Sequence, residues 1–248
     1  MNRPIFAIAA GIIIMMVSHP ALAYRLPACQ ISDQEREEPA EDVLLRYRME
    51  RENIAQSVST ARLNDHRQNP KIRLTARERK FAKKYNALLE KIVFWEHTVN
   101  LKNSLASLHG EKPPVSAVSE ADLMAKKVIE TLYELSQKWR IGSSALFNNF
   151  LVNIGAKEKG FCYHYVANLR RALLGQDWKY FEIRWGTAWE NTFRENNALV
   201  ITAKDTSFEA GIAVDAWRTA GRPFWTPVKG DRFPWIEAFN IEENFDVE

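Results

Sequence analysis

The sequence predicts an α+β protein in which a helical N-terminal half packs on a C-terminal helix and a small antiparallel β-sheet. Three observations carry this expectation. Apolar residues recur every three or four positions through most of residues 41–155, the period of helices with one buried face. Beyond Gly175 the period shortens to two, because Phe181, Ile183 and Trp185 alternate with Glu182 and Arg184 as in a half-buried strand. The 248 residues are 46 % hydrophobic and 26 % charged, a composition that excludes disorder for most of the chain and supplies one large core or two smaller ones. Helices first and strands second give the α+β class.

At the N-terminus, Arg3 precedes an apolar run from Ile5 to Val17, followed by Pro20 and Ala21-Leu22-Ala23. That order predicts a secretory signal peptide over 1–23, with an apolar run too short to span a bilayer, and hence an exported protein, periplasmic or secreted. Leu26-Pro27-Ala28-Cys29 offers an alternative: it resembles a lipobox, in which Cys29 is lipidated and anchors a lipoprotein to the membrane. Without residues 1–23 the chain keeps 33 basic and 31 acidic residues, a net charge of +2, which argues against nucleic acid as a partner. The sequence holds two cysteines, Cys29 and Cys162, and in an oxidising compartment they can pair.

Residues 24–40 read as a flexible lead-in, since Ser32 to Asp42 is mostly charged and contains Pro39. Leu44, Tyr47, Ile54, Val58 and Ala61 then set a helix over 41–63, and the polar stretch Asn64 to Pro70 a loop. Thr75-Ala76-Arg77-Glu78 has the spacing of a capping box, and Phe81, Tyr85, Leu88, Ile92, Trp95 and Val99 continue a helix over 75–106. After Pro113-Pro114, Ser119-Glu120-Ala121-Asp122 starts a third helix with Leu123, Ile129, Leu132, Leu135 and Trp139 inward. A fourth runs from Ser144 to Ile154 and stops at Gly155. Val166, Leu169 and Leu173 keep helical spacing from Cys162 to Gly175. The continuous apolar run Ala198 to Thr202 fits a central strand, Gly211 to Asp215 a third strand, and Phe224 to Val228 an edge strand. The chain divides accordingly into a helical region over 41–155 and an α+β domain over 156–248.

Gly160-Phe161-Cys162 opening a helix, a strand beginning near Asn196, and Asp215 closing the next strand resemble the core of papain-like cysteine hydrolases, especially the transglutaminase-like branch. The resemblance covers residues 158–218 and is one of pattern. It implies a papain-like core and a hydrolase that cleaves or transfers an amide or peptide bond through Cys162. A helix N-terminus favours the thiolate, and a neighbouring imidazole held by a carboxylate completes such a site. By position Cys162 matches the nucleophile and Asp215 the orienting carboxylate. Where the family places histidine, this chain has Asn196 and Asn197, and an amide takes up no proton near neutral pH. His164 is no substitute, because residues two apart on a helix point in different directions. Cys162 thus keeps three readings: nucleophile, small buried apolar residue, or disulfide partner of Cys29.

Trp178, Trp185, Trp189, Trp217, Trp225 and Trp235 place six of the eight tryptophans in the last third of the chain. Such aromatics line a groove for sugars or peptides, or fill the core of a small sheet. The binding candidates are Trp185, Trp217, Arg218 and Trp225, for a peptide, a protein or a cell-wall glycopeptide. Eight basic residues between Arg67 and Lys84 against Glu78 alone form either a solvated helix face or a peripheral contact for anionic membrane. No Gly-rich phosphate loop, His-Glu-x-x-His helix or Cys-x-x-Cys pair occurs, so neither a metal nor another cofactor is expected. The functional expectation is an exported cell-envelope protein with a transglutaminase-like cysteine hydrolase domain. Two alternatives stand beside it: a non-catalytic binding or scaffold module, and a membrane-tethered helical adaptor.

Overall fold

Six helices and one five-stranded antiparallel sheet make up a computed structural model that describes residues 31–57, 69, 73–141 and 144–238. The α+β class is therefore as expected. The signal peptide, Cys29, Arg67, Lys71 and the end of the first long helix beyond Ser57 lie outside the described residues.

The helices are α1 (Asp33–Glu37), α2 (Ala40–Ser57), α3 (Ala76–Ser107), α4 (Val115–Lys138), α5 (Ala145–Asn153) and α6 (Cys162–Leu174). Helix α3 starts as its sequence dictates: the Thr75 hydroxyl accepts from the Glu78 amide at 3.2 Å, and the Glu78 carboxylate accepts from the Thr75 amide at 2.7 Å. Two starts differ from the sequence reading. The stretch taken for a flexible lead-in contains α1, because Ser32 and Glu35 form a capping box of their own and Glu35, buried, accepts hydrogen bonds from Ser32 and Tyr47. Helix α4 begins at Val115, four residues before Ser119, since Pro114 supplies an extended N-cap and its carbonyl accepts from the Val118 amide. Asp122, freed from any capping task, accepts from the Ala40 amide at 3.1 Å and pairs with Lys126 at 2.7 Å, which fixes α2 to α4.

The strands are β1 (Phe181–Ala188), β2 (Asn196–Ala203), β3 (Ile212–Val214), β4 (Trp225–Pro227) and β5 (Ile236–Glu237), ordered β4-β3-β2-β1-β5. The β2 run is central and β4 is at an edge, as read. Strand β5 was not anticipated, since two residues carry no periodicity; it pairs Ile236 with Thr187 and Glu237 with Gly186. One core joins the halves: Phe94 and Trp95 of α3, Met124, Ile129 and Leu132 of α4, Leu169 and Leu173 of α6, and Leu199 and Ile201 of β2. Helix α6 lies between α4 and β2. The opposite sheet face carries a smaller cluster with Ala198 and Val200 of β2, Phe208 and Trp235. This alternation along β2 decides the geometry of the site.

Candidate functional site

Cys162 is the first residue of α6. The chain enters the helix through Gly160, whose φ of +147° suits glycine and strains any side chain. A Cβ there would also stand 3.6 Å from Val152 and 3.8 Å from Asn148, so α5 closes directly on this turn. The two amides that lead into the helix are satisfied by its first turn: the Gly160 and Phe161 amides donate to His164 Nδ1 at 3.0 and 3.1 Å. That role requires a neutral ring. Burial, with the Lys159 charge in support, lowers the His164 pKa to about 4.

The Cys162 sulfur is 8 % exposed as a residue and a free thiol. It accepts a hydrogen bond from Asn197 Nδ2 at 3.6 Å. Asn197 is oriented in turn, because its Oδ1 accepts from Trp185 Nε1 at 2.7 Å and its amide also donates to Glu195 at 3.2 Å. Burial pushes the thiol pKa up, the Asp215 charge adds to the rise, and the Asn197 hydrogen bonds oppose it. The group is a thiol at neutral pH. Among the described residues no imidazole hydrogen-bonds the sulfur; His97 contacts the Tyr133 hydroxyl at 3.3 Å and His109 packs edge-on against Phe181.

Asn196 and Asp215 face the other way. Asn196 Nδ2 donates to Asp215 Oδ2 at 2.8 Å, and Arg218 donates to the same carboxylate through its Nε at 2.9 Å and its backbone amide at 3.1 Å. Arg218 then grips Asp231 with both terminal nitrogens, at 2.9 and 2.6 Å, while Trp235 Nε1 donates to Asp231 at 2.7 Å. The guanidinium lies 3.9 Å from the Phe233 ring centre. Burial raises the Asp215 carboxyl pKa against the opposing pull of Arg218 and Asn196. On Asp231 burial acts the same way, but the hydrogen bonds from Arg218 and Trp235 win and the carboxyl stays below the usual aspartate range.

The four residues read as one line of chemistry are thus two pairs. Cys162 meets Asn197, and Asp215 meets Asn196. Adjacent residues of a strand point to opposite faces, so no single asparagine of β2 bridges sulfur and carboxylate. Of the binding candidates, Trp185 belongs to the Cys162 pair and Arg218 to the Asp215 pair. Trp217 donates to Asn149 of α5 at 2.9 Å, and Trp225 donates to Ser104 of α3 at 3.0 Å. Asp231 was missed by the sequence reading; its only linear signal is the spacing to Trp235, which has no meaning before Arg218 is placed. Within the described part of the basic run, Lys84 of α3 pairs with Glu50 of α2 at 2.9 Å, and Arg79 donates to the Leu74 carbonyl.

Among the described residues no cluster of three or more His, Cys, Asp or Glu is arranged to hold a metal ion, and no helix is long and apolar enough to cross a membrane. Compared with protein-family models, curated proteins and solved structures, the chain finds no match in any of the three.

Proposed function

We propose that this is an exported cell-envelope protein whose C-terminal part is a non-catalytic binding module on a transglutaminase-like core, with a peptide, protein or cell-wall glycopeptide as its partner. One observation carries the reading: the Cys162 sulfur faces the Asn197 amide, a hydrogen-bond donor that cannot take up a proton. Three others agree with it. Asp215, the carboxylate in the orienting position, is spent on Asn196 and Arg218. His164 is spent on the helix start. Burial disfavours the thiolate that a nucleophile requires.

The test is the pH dependence of Cys162 alkylation, followed site by site by mass spectrometry so that Cys29 does not contribute. The expected rate is low at pH 7 and still climbing above pH 9. A plateau reached below pH 7, together with acylation of Cys162 by a peptide ester, would establish an activated nucleophile and overturn the proposal. Asn197→His places an imidazole beside the sulfur; under this reading it raises the alkylation rate at pH 7, by about tenfold for each pKa unit that the thiol falls.

A further inference from the structure

Helix α5 and its C-cap carry an apolar outer face. Two of its polar residues hold it to the body: Asn148 is 2 % exposed and accepts from Lys157 Nζ at 2.9 Å, and Asn149 accepts from the Trp217 indole. Leu151 and Val152 are half-buried, while the larger apolar residues of the other face point outward. Ten large hydrophobic side chains are exposed among the described residues, and four of them cluster here, Leu146 at 66 %, Phe147 at 37 %, Phe150 at 40 % and Ile154 at 58 %. The Phe147 and Phe150 rings stack on one another. Helix α5 itself carries no charge. Core formation does not explain this arrangement, because burying the same residues inward would remove that apolar surface from water.

The surroundings of the patch carry a net positive charge. Residues 138–160 hold Lys138, Arg140, Lys157 and Lys159 against Glu158. These four cations line a cleft of about 660 Å³ beside α5 together with Trp139, Ala156 and the single acid Glu158. Lys157 makes cleft and helix one surface, since its Nζ donates to the Arg140 carbonyl at 2.9 Å as well as to Asn148, and its backbone amide donates to the Leu151 carbonyl.

We infer that this face seats on an anionic lipid bilayer, with Leu146, Phe147, Phe150 and Ile154 in the interfacial acyl region and anionic headgroups against the cationic cleft. The charge pattern selects this occupant: an outward apolar stripe with a basic border is the pattern of an interfacial amphipathic helix, and four cations against one acid attract a negatively charged leaflet. The site is separate from the Arg67 to Lys84 run, and the inference stands independently of whether Cys162 is active.

The experiment is amide hydrogen exchange on the full chain, with vesicles of phosphatidylglycerol and phosphatidylcholine, vesicles of phosphatidylcholine alone, and no lipid. Slowed exchange over 144–157 on the anionic vesicles, absent with the neutral ones, is the expected result. Because the readout is local, attachment through residues 1–23 or through the other basic run leaves these amides unchanged. Unchanged exchange in 144–157 on anionic vesicles overturns the inference. Equal protection by neutral vesicles overturns the electrostatic half of it, and protection that rises with protein concentration in the absence of lipid assigns the face to a second copy instead. The double variants Phe147→Ser/Phe150→Ser and Lys138→Gln/Arg140→Gln change exposed side chains, and each is expected to weaken vesicle binding by at least about tenfold. A pair that binds as the parent does removes its half of the site.

Discussion

His164, set aside as a base by its spacing from Cys162, has a structural task instead. As the third residue of α6 it accepts the Gly160 and Phe161 amides, so its neutral ring is part of the helix start. In the fold its pKa is about 4 against an ordinary 6.5. Between these values the unfolded chain takes up a proton that the folded chain refuses. This contribution to stability is complete above pH 6.5 and is lost as pH falls toward 4. Denaturation midpoints followed from pH 7.5 to 4.5 are expected to fall in the parent, and to fall less in His164→Gln, whose amide oxygen accepts the same hydrogen bonds without titrating. Equal slopes would show that another group controls the acid limb. Cys162 and Asp215 were legible from position alone, because a helix start and a strand end are marked by glycine and by periodicity. Which of Asn196 and Asn197 reaches the sulfur was not. That choice depends on which face of β2 meets α6, a property of packing that a one-residue shift reverses.

Among the elements, the turn after β3 and the segment before β5 are tied by a single guanidinium. Arg218 is enclosed, with 8 % side-chain exposure against 0 % for Asp215 and 5 % for Asp231. Arg218→Ala leaves two carboxylates without their cation, and loss of one partner from a buried ion pair destabilises by about 3–5 kcal/mol. Chemical denaturation measures this. Arg218→Lys is expected to recover only part of the loss, since an ammonium cannot grip Asp231 with two nitrogens while donating a third hydrogen bond to Asp215. Long elements were legible because they repeat their pattern many times; α3 could be placed within a residue or two at both ends. Short ones were not. Helix α1 hid in a charged stretch whose Glu35 is buried, and β5 is recognisable only as the partner of Gly186 and Thr187.

At the level of the whole molecule, the helical half and the sheet share one core, and polar ties cross the same seam. Glu120 of α4 accepts from the Lys179 and Tyr180 amides just before β1, and the Trp225 indole reaches Ser104 of α3. Far-ultraviolet circular dichroism, reporting helices, and tryptophan fluorescence, reporting mainly the C-terminal third, are therefore expected to give one coincident urea transition. Separate midpoints would show two independent units meeting at residue 155.

The short β5 has a consequence for behaviour in concentrated solution. Among the described residues it pairs with β1 at Gly186 and Thr187, with one further bond from the Ala238 amide to the Trp185 carbonyl. A sheet margin with unpaired backbone is a template onto which a strand of another molecule can add. Arg184 sits beside this pairing: the guanidinium reaches Glu182, Glu237 and the Thr206 carbonyl, so a charged network stands on that side of the sheet. Replacing Arg184 by valine is expected to bring light scattering on heating at an earlier time, with a loss of about 1–3 kcal/mol in folding stability from the acceptors left without their donor. An unchanged onset would mean that the margin is protected some other way. In this chain an arginine bound into the fold would also set how many copies can share a compartment before they begin to join.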